Sequence, residues 1–166
     1  MAPGRRALLL LSGATALLAG CGFALRRAPE LQFRTLQLVG FAPHSSLADE
    51  LRKSINASTT TLVVDAAAQA AVQFEALTDA REKSVVASTA AGQVREVQVR
   101  ARLKFSLRTV SGRELIAPTE IVLSRDLSYN ESVALAKEQE EALLYRAMQT
   151  DIVAQVMRRL ASVSLL

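Results

Sequence analysis

Between Val97 and Thr109 the chain alternates without a break. Val97, Val99, Ala101, Leu103, Phe105, Leu107 and Thr109 share one parity, and Gln98, Arg100, Arg102, Lys104, Ser106 and Arg108 share the other. A period of two sustained over this length predicts a strand with one buried face and one wet face. The strand runs into Val110-Ser111-Gly112-Arg113-Glu114, a hairpin signal. Beyond it Thr119, Ile121, Leu123 and Leu127 form an odd-numbered apolar set. Odd faces odd only if paired residue numbers sum to an even number. A three-residue loop, Ser111-Gly112-Arg113, satisfies this and sets Lys104 opposite Glu120, whereas a two-residue loop places Glu120 inside. Pro118 predicts that this strand is an edge or is interrupted there.

The same reading predicts the remaining elements. Leu31–Val39 reads as a strand ending at Gly40, Thr59–Val64 as a β-branched strand, and Val72–Ala87 as a longer, irregular one closed by the turn Ala90-Ala91-Gly92-Gln93. Two segments change to a period near 3.6. Leu47, Leu51 and Ile55 form a short apolar stripe behind Ser45 and Ser46, either of which can cap a helix. Leu144, Met148, Ile152, Val156, Leu160 and Val163 form a long stripe in a helix that starts near Asn130 and ends near Arg158 and Arg159. The element order is strand, helix, strand, a meander of strands, then a long helix. It predicts an α+β two-layer sandwich, with two helices on one face of a mixed sheet of four or slightly more strands.

Arg5-Arg6, the apolar run Ala7–Leu18 and the sequence Leu18-Ala19-Gly20-Cys21 have the order of a secretory signal with a bacterial lipobox. The apolar run is too short to span a bilayer. Residues 1–20 are therefore expected to be a cleaved signal peptide, residues 21–30 a lipidated tether and residues 31–166 a single domain. Cys21 is expected to carry N-acyl and S-diacylglycerol groups. Acyl chains at about 0.8 kcal/mol per buried CH₂ make a stable anchor. Gly22, where an Asp is the inner-membrane retention signal of enteric bacteria, predicts an outer-membrane location facing the periplasm.

Loss of the signal removes Arg5 and Arg6 and leaves 18 basic and 16 acidic residues, so the formal +4 of the whole chain becomes +2. This bulk charge makes no case for nucleic acid. Aromatics amount to 4% with no Trp, too few for stacking on bases or sugars. The chain has one cysteine, Cys21, and one histidine, His44, beside Pro43 in a loop. A nucleophile–histidine pair or a zinc site needs more N and S groups than these. No pair of carboxylates stands out for hydrolysis, so an envelope enzyme is the weakest reading. No cofactor or metal is expected.

Four sequence features, in order, carry a resemblance: Cys21-Gly22-Phe23-Ala24-Leu25-Arg26, Gly92-Gln93-Val94-Arg95-Glu96, Ala134-Leu135-Ala136-Lys137-Glu138, and Met148-x-x-Asp151 through Arg158-Arg159-Leu160. With the element order, they make the mature chain similar to the LPS-assembly lipoprotein family, LptE. The resemblance implies two helices on a four-stranded mixed sheet. It also implies a non-enzymatic lipoprotein that plugs the lipopolysaccharide-transport β-barrel, LptD, in a one-to-one complex and helps deliver lipopolysaccharide to the outer leaflet. Lys137 matches a basic family position implicated in lipopolysaccharide contact. A second such position, near the Gly92-Gln93 turn, is Ala90 here.

Arg100, Arg102, Lys104 and Arg108 form a basic row on the wet strand face, at about 6.5–7 Å spacing. They are candidates for the phosphates and acidic sugars of lipopolysaccharide, together with Lys137. The alternative for the row is a solvated face neutralised by Glu120 and Asp126 on the next strand. Arg102 and Arg113, on that face and at the hairpin tip, are candidate barrel contacts. A stand-alone lipid-anchored module binding an amphiphile or envelope polymer is the alternative function.

Overall fold

The structure is a computed structural model that describes residues 29–164. The signal and Cys21 lie outside those residues, as does most of the tether. Five strands and two α-helices follow in the order β1 (Thr35–Val39), α1 (Ser46–Asn56), β2 (Leu62–Val64), β3 (Val72–Ser88), β4 (Val94–Thr109), β5 (Glu114–Ser128) and α2 (Ala134–Ala161). The sheet order is β2-β1-β3-β4-β5. β1 is parallel to β2 and β3, and β3, β4 and β5 form an antiparallel meander. The expected α+β sandwich is present, with a fifth strand supplied by the three residues of β2.

The register of β4 with β5 is the expected one from Glu96↔Ser128 to Phe105↔Thr119, and Lys104 stands opposite Glu120. The turn itself differs. Thr109 N–H donates to the Arg113 carbonyl at 2.8 Å, so Val110-Ser111-Gly112 is the loop, one position earlier than expected. Two irregularities, between Phe105 and Leu107 and between Leu107 and Arg108 on the β4 side, reconcile the two registers. Pro118 sits in the first, where a residue that cannot donate to a ladder is tolerated. β5 is thus both an edge strand and an interrupted one.

β3 carries a bulge at Leu77, between the pairs Ala76↔Phe105 and Thr78↔Lys104. One extra residue reverses the parity of everything after it. Before the bulge Val72, Phe74 and Ala76 face the helices and are buried. After it Asp79, Arg81 and Lys83 pair with Leu103, Ala101 and Val99 and take the helix side, while Glu82 takes the open side beside Arg100. Gly40 follows β1 at φ +82°, and a Cβ there would stand 2.2 Å from the Ala76 carbonyl oxygen. Only glycine permits that approach.

Both helices cover the same face. Ser45 caps α1, its Oγ accepting from Ala48 N–H at 3.2 Å, and Leu47, Leu51 and Ile55 are buried as their spacing predicts. Asn130 caps a 3₁₀ turn, Glu131–Val133, that leads into α2, its side chain accepting from Ser132 N–H at 3.0 Å. The 28 residues of α2 make a rod of about 42 Å at 1.5 Å per residue. Met148, Ile152, Val156 and Leu160 are buried against Phe74, Phe105 and Leu103 in one core, and Phe105 stacks on Phe74 at 4.8 Å between centroids.

Candidate functional site

The open face of the sheet holds the basic row in the order the alternation set. Each cation except Lys104 has an acid within reach. Arg102 donates to Glu82 at 2.6 Å and lies 3.9 Å from Glu120. Arg100 donates to Gln98 at 3.0 Å and lies 3.9 Å from Glu82. Arg108 bridges to Glu75 at 3.0 Å and donates to Gln73, which donates in turn to Gln37. Asp126 accepts from Gln98 at 2.9 Å. Of the two acids expected to neutralise the row, Glu120 therefore reaches only Arg102, and Asp126 reaches an amide. The main partners, Glu75 and Glu82, come from β3. Glu82 reaches the open face because of the bulge at Leu77, whose only sequence trace is the broken alternation after Ala76.

Among the described residues the pairing puts Glu75, Glu82, Glu96, Glu114, Glu120 and Asp126 on this face with the four cations, so the face is polar without being net basic. Lys104 is exposed, and among the described residues no hydrogen bond or ion pair engages its side chain. Lys137 stands apart from the row, near the start of α2. Its ammonium lies 2.9 Å from Glu140 and donates to Ser128 Oγ at 3.1 Å, at the far end of β5 from the hairpin. Arg113 is on the exposed hairpin, and its backbone N–H donates to Thr109 Oγ1 at 3.0 Å. Arg102 and Arg113 lie on the same element pair, separated by the irregular stretch around Pro118. His44 is an exposed turn residue at φ 60°.

The helix side carries a second polar region that the sequence reading did not find. A cleft of about 990 Å³ opens between α1, α2 and β3. At its floor Arg81 donates to Gln149 Oε1 at 2.6 Å and to Ser46 Oγ at 2.9 Å. Gln149 donates to Glu50 at 2.6 Å and to the Ser46 carbonyl at 3.1 Å. Above it Lys83 binds Glu141 at 2.6 Å, and the Tyr145 hydroxyl donates to the Glu82 carbonyl at 2.7 Å. The hydrogen bond that Lys83 donates to Glu141 raises the Lys83 pKa, against an opposing effect of burial. Burial foremost, and then the Glu141 charge, raise that of Tyr145. These groups satisfy one another, so the cleft is a polar joint between the helices and β3. Among the described residues no cluster of His, Cys, Asp and Glu has the arrangement of a metal site.

The family model described as LptE, lipopolysaccharide-assembly, matches residues 33–160. The chain belongs to the LptE family. The match spans the sheet, both helices and the basic row. The LPS-assembly lipoprotein LptE of Pectobacterium atrosepticum is 27% identical over 158 residues, covering 94% of this chain and 85% of the relative. That of Photorhabdus laumondii is 26% identical, covering 93% and 85%. Among solved structures, uncharacterized lipoprotein B from Nitrosomonas europaea matches with a TM-score of 0.72 and 30% identity over 85% of this chain and 91% of its own. The rare lipoprotein B from Shewanella oneidensis shares the fold, at a TM-score of 0.65 and 23% identity over 78% and 95%. The LptE family is an LPS-assembly lipoprotein family rather than an enzyme family.

Proposed function

We propose that this LptE-family chain is a non-enzymatic outer-membrane lipoprotein, lipid-anchored through Cys21. It plugs the lipopolysaccharide-transport barrel LptD one to one and assists its assembly, helping lipopolysaccharide reach the outer leaflet. The observation that carries this reading is the family match over residues 33–160. The open sheet face supports it physically. A large barrel has a polar interior, and on this face Arg100, Arg102 and Arg108 already pair with acids, which leaves Lys104 as the cation of the row open to a partner in such a lumen. Arg102 and Arg113 are the proposed contacts with the barrel wall. Lys104 and Lys137, with Arg100, Arg102 and Arg108, are the proposed contacts with lipopolysaccharide anions. Lys104 has no internal partner to give up, whereas Lys137 would exchange Glu140 for the ligand.

The test is affinity purification of the lipidated full chain from detergent-solubilised envelopes. A barrel-sized protein is expected at equal stoichiometry, and photo-crosslinkers at positions 102 and 113 should trap it in cells. Purification of the chain alone, with lipopolysaccharide binding intact, supports the stand-alone module instead. A Cys21→Ala variant should lose the lipid label and leave the outer-membrane fraction.

A further inference from the structure

The two edges of the sheet are unlike. β2 is three residues long, too short to template another strand. β5 is fifteen residues long, and its hairpin half is guarded by Pro118 and two irregularities. Its other half, Thr119–Ser128, pairs with β4 without a break and holds no proline, bulge or lysine; the charges on it are Glu120, Arg125 and Asp126.

The hydrogen-bond phase shows which backbone groups this half leaves outward. Tyr129 N–H donates to the Arg95 carbonyl at 2.8 Å, in the same register as the pairs from Glu96↔Ser128 onward. Antiparallel pairs alternate between bonded and non-bonded. Odd-numbered residues of β5 therefore bond to β4, and Glu120, Val122, Ser124 and Asp126 point their N–H and C=O groups away from the sheet. A separate contact agrees: Arg125 Nη1 turns back on the Ser124 carbonyl at 2.8 Å, which is open only if that carbonyl faces outward.

We propose that the Thr119–Ser128 edge is a strand-addition site for an extended segment of another protein. This goes beyond the lipopolysaccharide reading and does not depend on it. The side chains beside the outward groups define the segment. Glu120 and Asp126 bracket the open face about 20 Å apart at about 3.4 Å per residue. Glu120 has only a 3.9 Å approach from Arg102, and Asp126 only an amide. A segment with Lys or Arg six residues apart on one face meets both acids. Between them lies Val122, 46% exposed. On the other face Ile121 and Leu123 adjoin α2, which calls for apolar residues there. A second copy of this chain fits poorly: two-fold pairing about Leu123 sets Glu120 against Asp126 at both ends. The wall strands of a closed barrel have no free edge to offer. The occupant is thus a loop or terminal segment with alternating basic and apolar positions.

The test uses the lipidated full chain in detergent micelles and the nine-residue peptide Thr-Lys-Val-Thr-Val-Thr-Val-Lys-Thr as probe, with residue-resolved amide hydrogen exchange as readout. The peptide should slow exchange at Glu120, Val122, Ser124 and Asp126 by about tenfold or more, and leave Ile121, Leu123 and Arg125 little changed. The same peptide with Glu in place of Lys should protect none of them. Glu120→Lys with Asp126→Lys, both exposed and compatible with folding, should abolish the effect of the lysine peptide. Unchanged even-numbered amides at millimolar peptide overturn the proposal. So does protein-concentration-dependent protection without peptide, which would assign the edge to a second copy.

Discussion

At the residue scale, Gly40 and Gly112 make a controlled comparison. Both have positive φ, but a Cβ at Gly40 meets the Ala76 carbonyl oxygen at 2.2 Å, whereas one at Gly112 meets nothing within 4 Å. Gly112→Ala should cost about 1 kcal/mol, the backbone strain alone. Gly40→Ala should cost more, about 2–3 kcal/mol, because the clash is with backbone that cannot rotate away. Urea melts of the two variants give the order. Burial makes a second comparison. Phe105 and Ile152 are 0% and 2% exposed, and truncation of either to Ala should cost roughly 2–5 kcal/mol. Arg100→Ala, on the open face, should stay within about 0.5 kcal/mol. The reverse order would refute the assignment of faces.

At the element scale, the polar joint that holds β3 against α1 and α2 is the part most open to a test. Gln149 is buried, and its amide serves Arg81, Glu50 and Ser46 together. Gln149→Leu leaves these groups without their shared partner and should cost about 1–3 kcal/mol. Lys83 and Tyr145 add a pH dependence. Folding raises both pKa values above the ordinary 10.5 and 10.0. Each group's contribution is therefore complete below its ordinary value and is lost as pH rises through the raised one. Stability should fall above about pH 10. Glu141→Gln removes the acid that raises Lys83 and should flatten that fall. Lys83 is partly exposed, so the difference at neutral pH should be only about 0–1 kcal/mol. Urea melts at about pH 8 and about pH 11 compare the two chains.

At the scale of the whole molecule, the open face and Lys137 carry the proposed lipopolysaccharide contact. Exposed pairs are each worth about 0–1 kcal/mol, so no single change should abolish binding. Lys104→Glu with Lys137→Glu should weaken it several-fold, and added salt should weaken the native protein's binding. Circular dichroism controls for folding. Undiminished binding by the folded double variant would leave these lysines as ordinary surface charges and rest the function on the barrel alone.

The sequence by itself determined the layers, both helices, the buried parity of β4 and the pairing of Lys104 with Glu120. Each is a periodic signal: apolar positions recur every two or every 3.6 residues, and a pattern sustained over many residues leaves one face to bury. The two-helix sandwich followed from the order of those patterns, and the family resemblance from short segments spread along the chain. What the sequence left open hangs on single residues that break a period. The bulge at Leu77 exchanged the two faces of β3 from Thr78 to Val85, where the next irregularity begins. It sent Arg81 and Lys83 into the helix joint and brought Glu82 out to neutralise Arg100 and Arg102. The offset hairpin shifted the loop by one residue, and the irregularities near Pro118 restored the register. A one-residue insertion costs little locally and is nearly silent in the pattern, yet it reassigns every side chain beyond it. Tertiary packing decided where the insertions fall. Ala76 is buried opposite Phe105 and its carbonyl oxygen would stand 2.2 Å from a Cβ at Gly40, so β3 is packed tightly up to Ala76 and the extra residue, Leu77, falls directly after that contact, where its side chain is exposed.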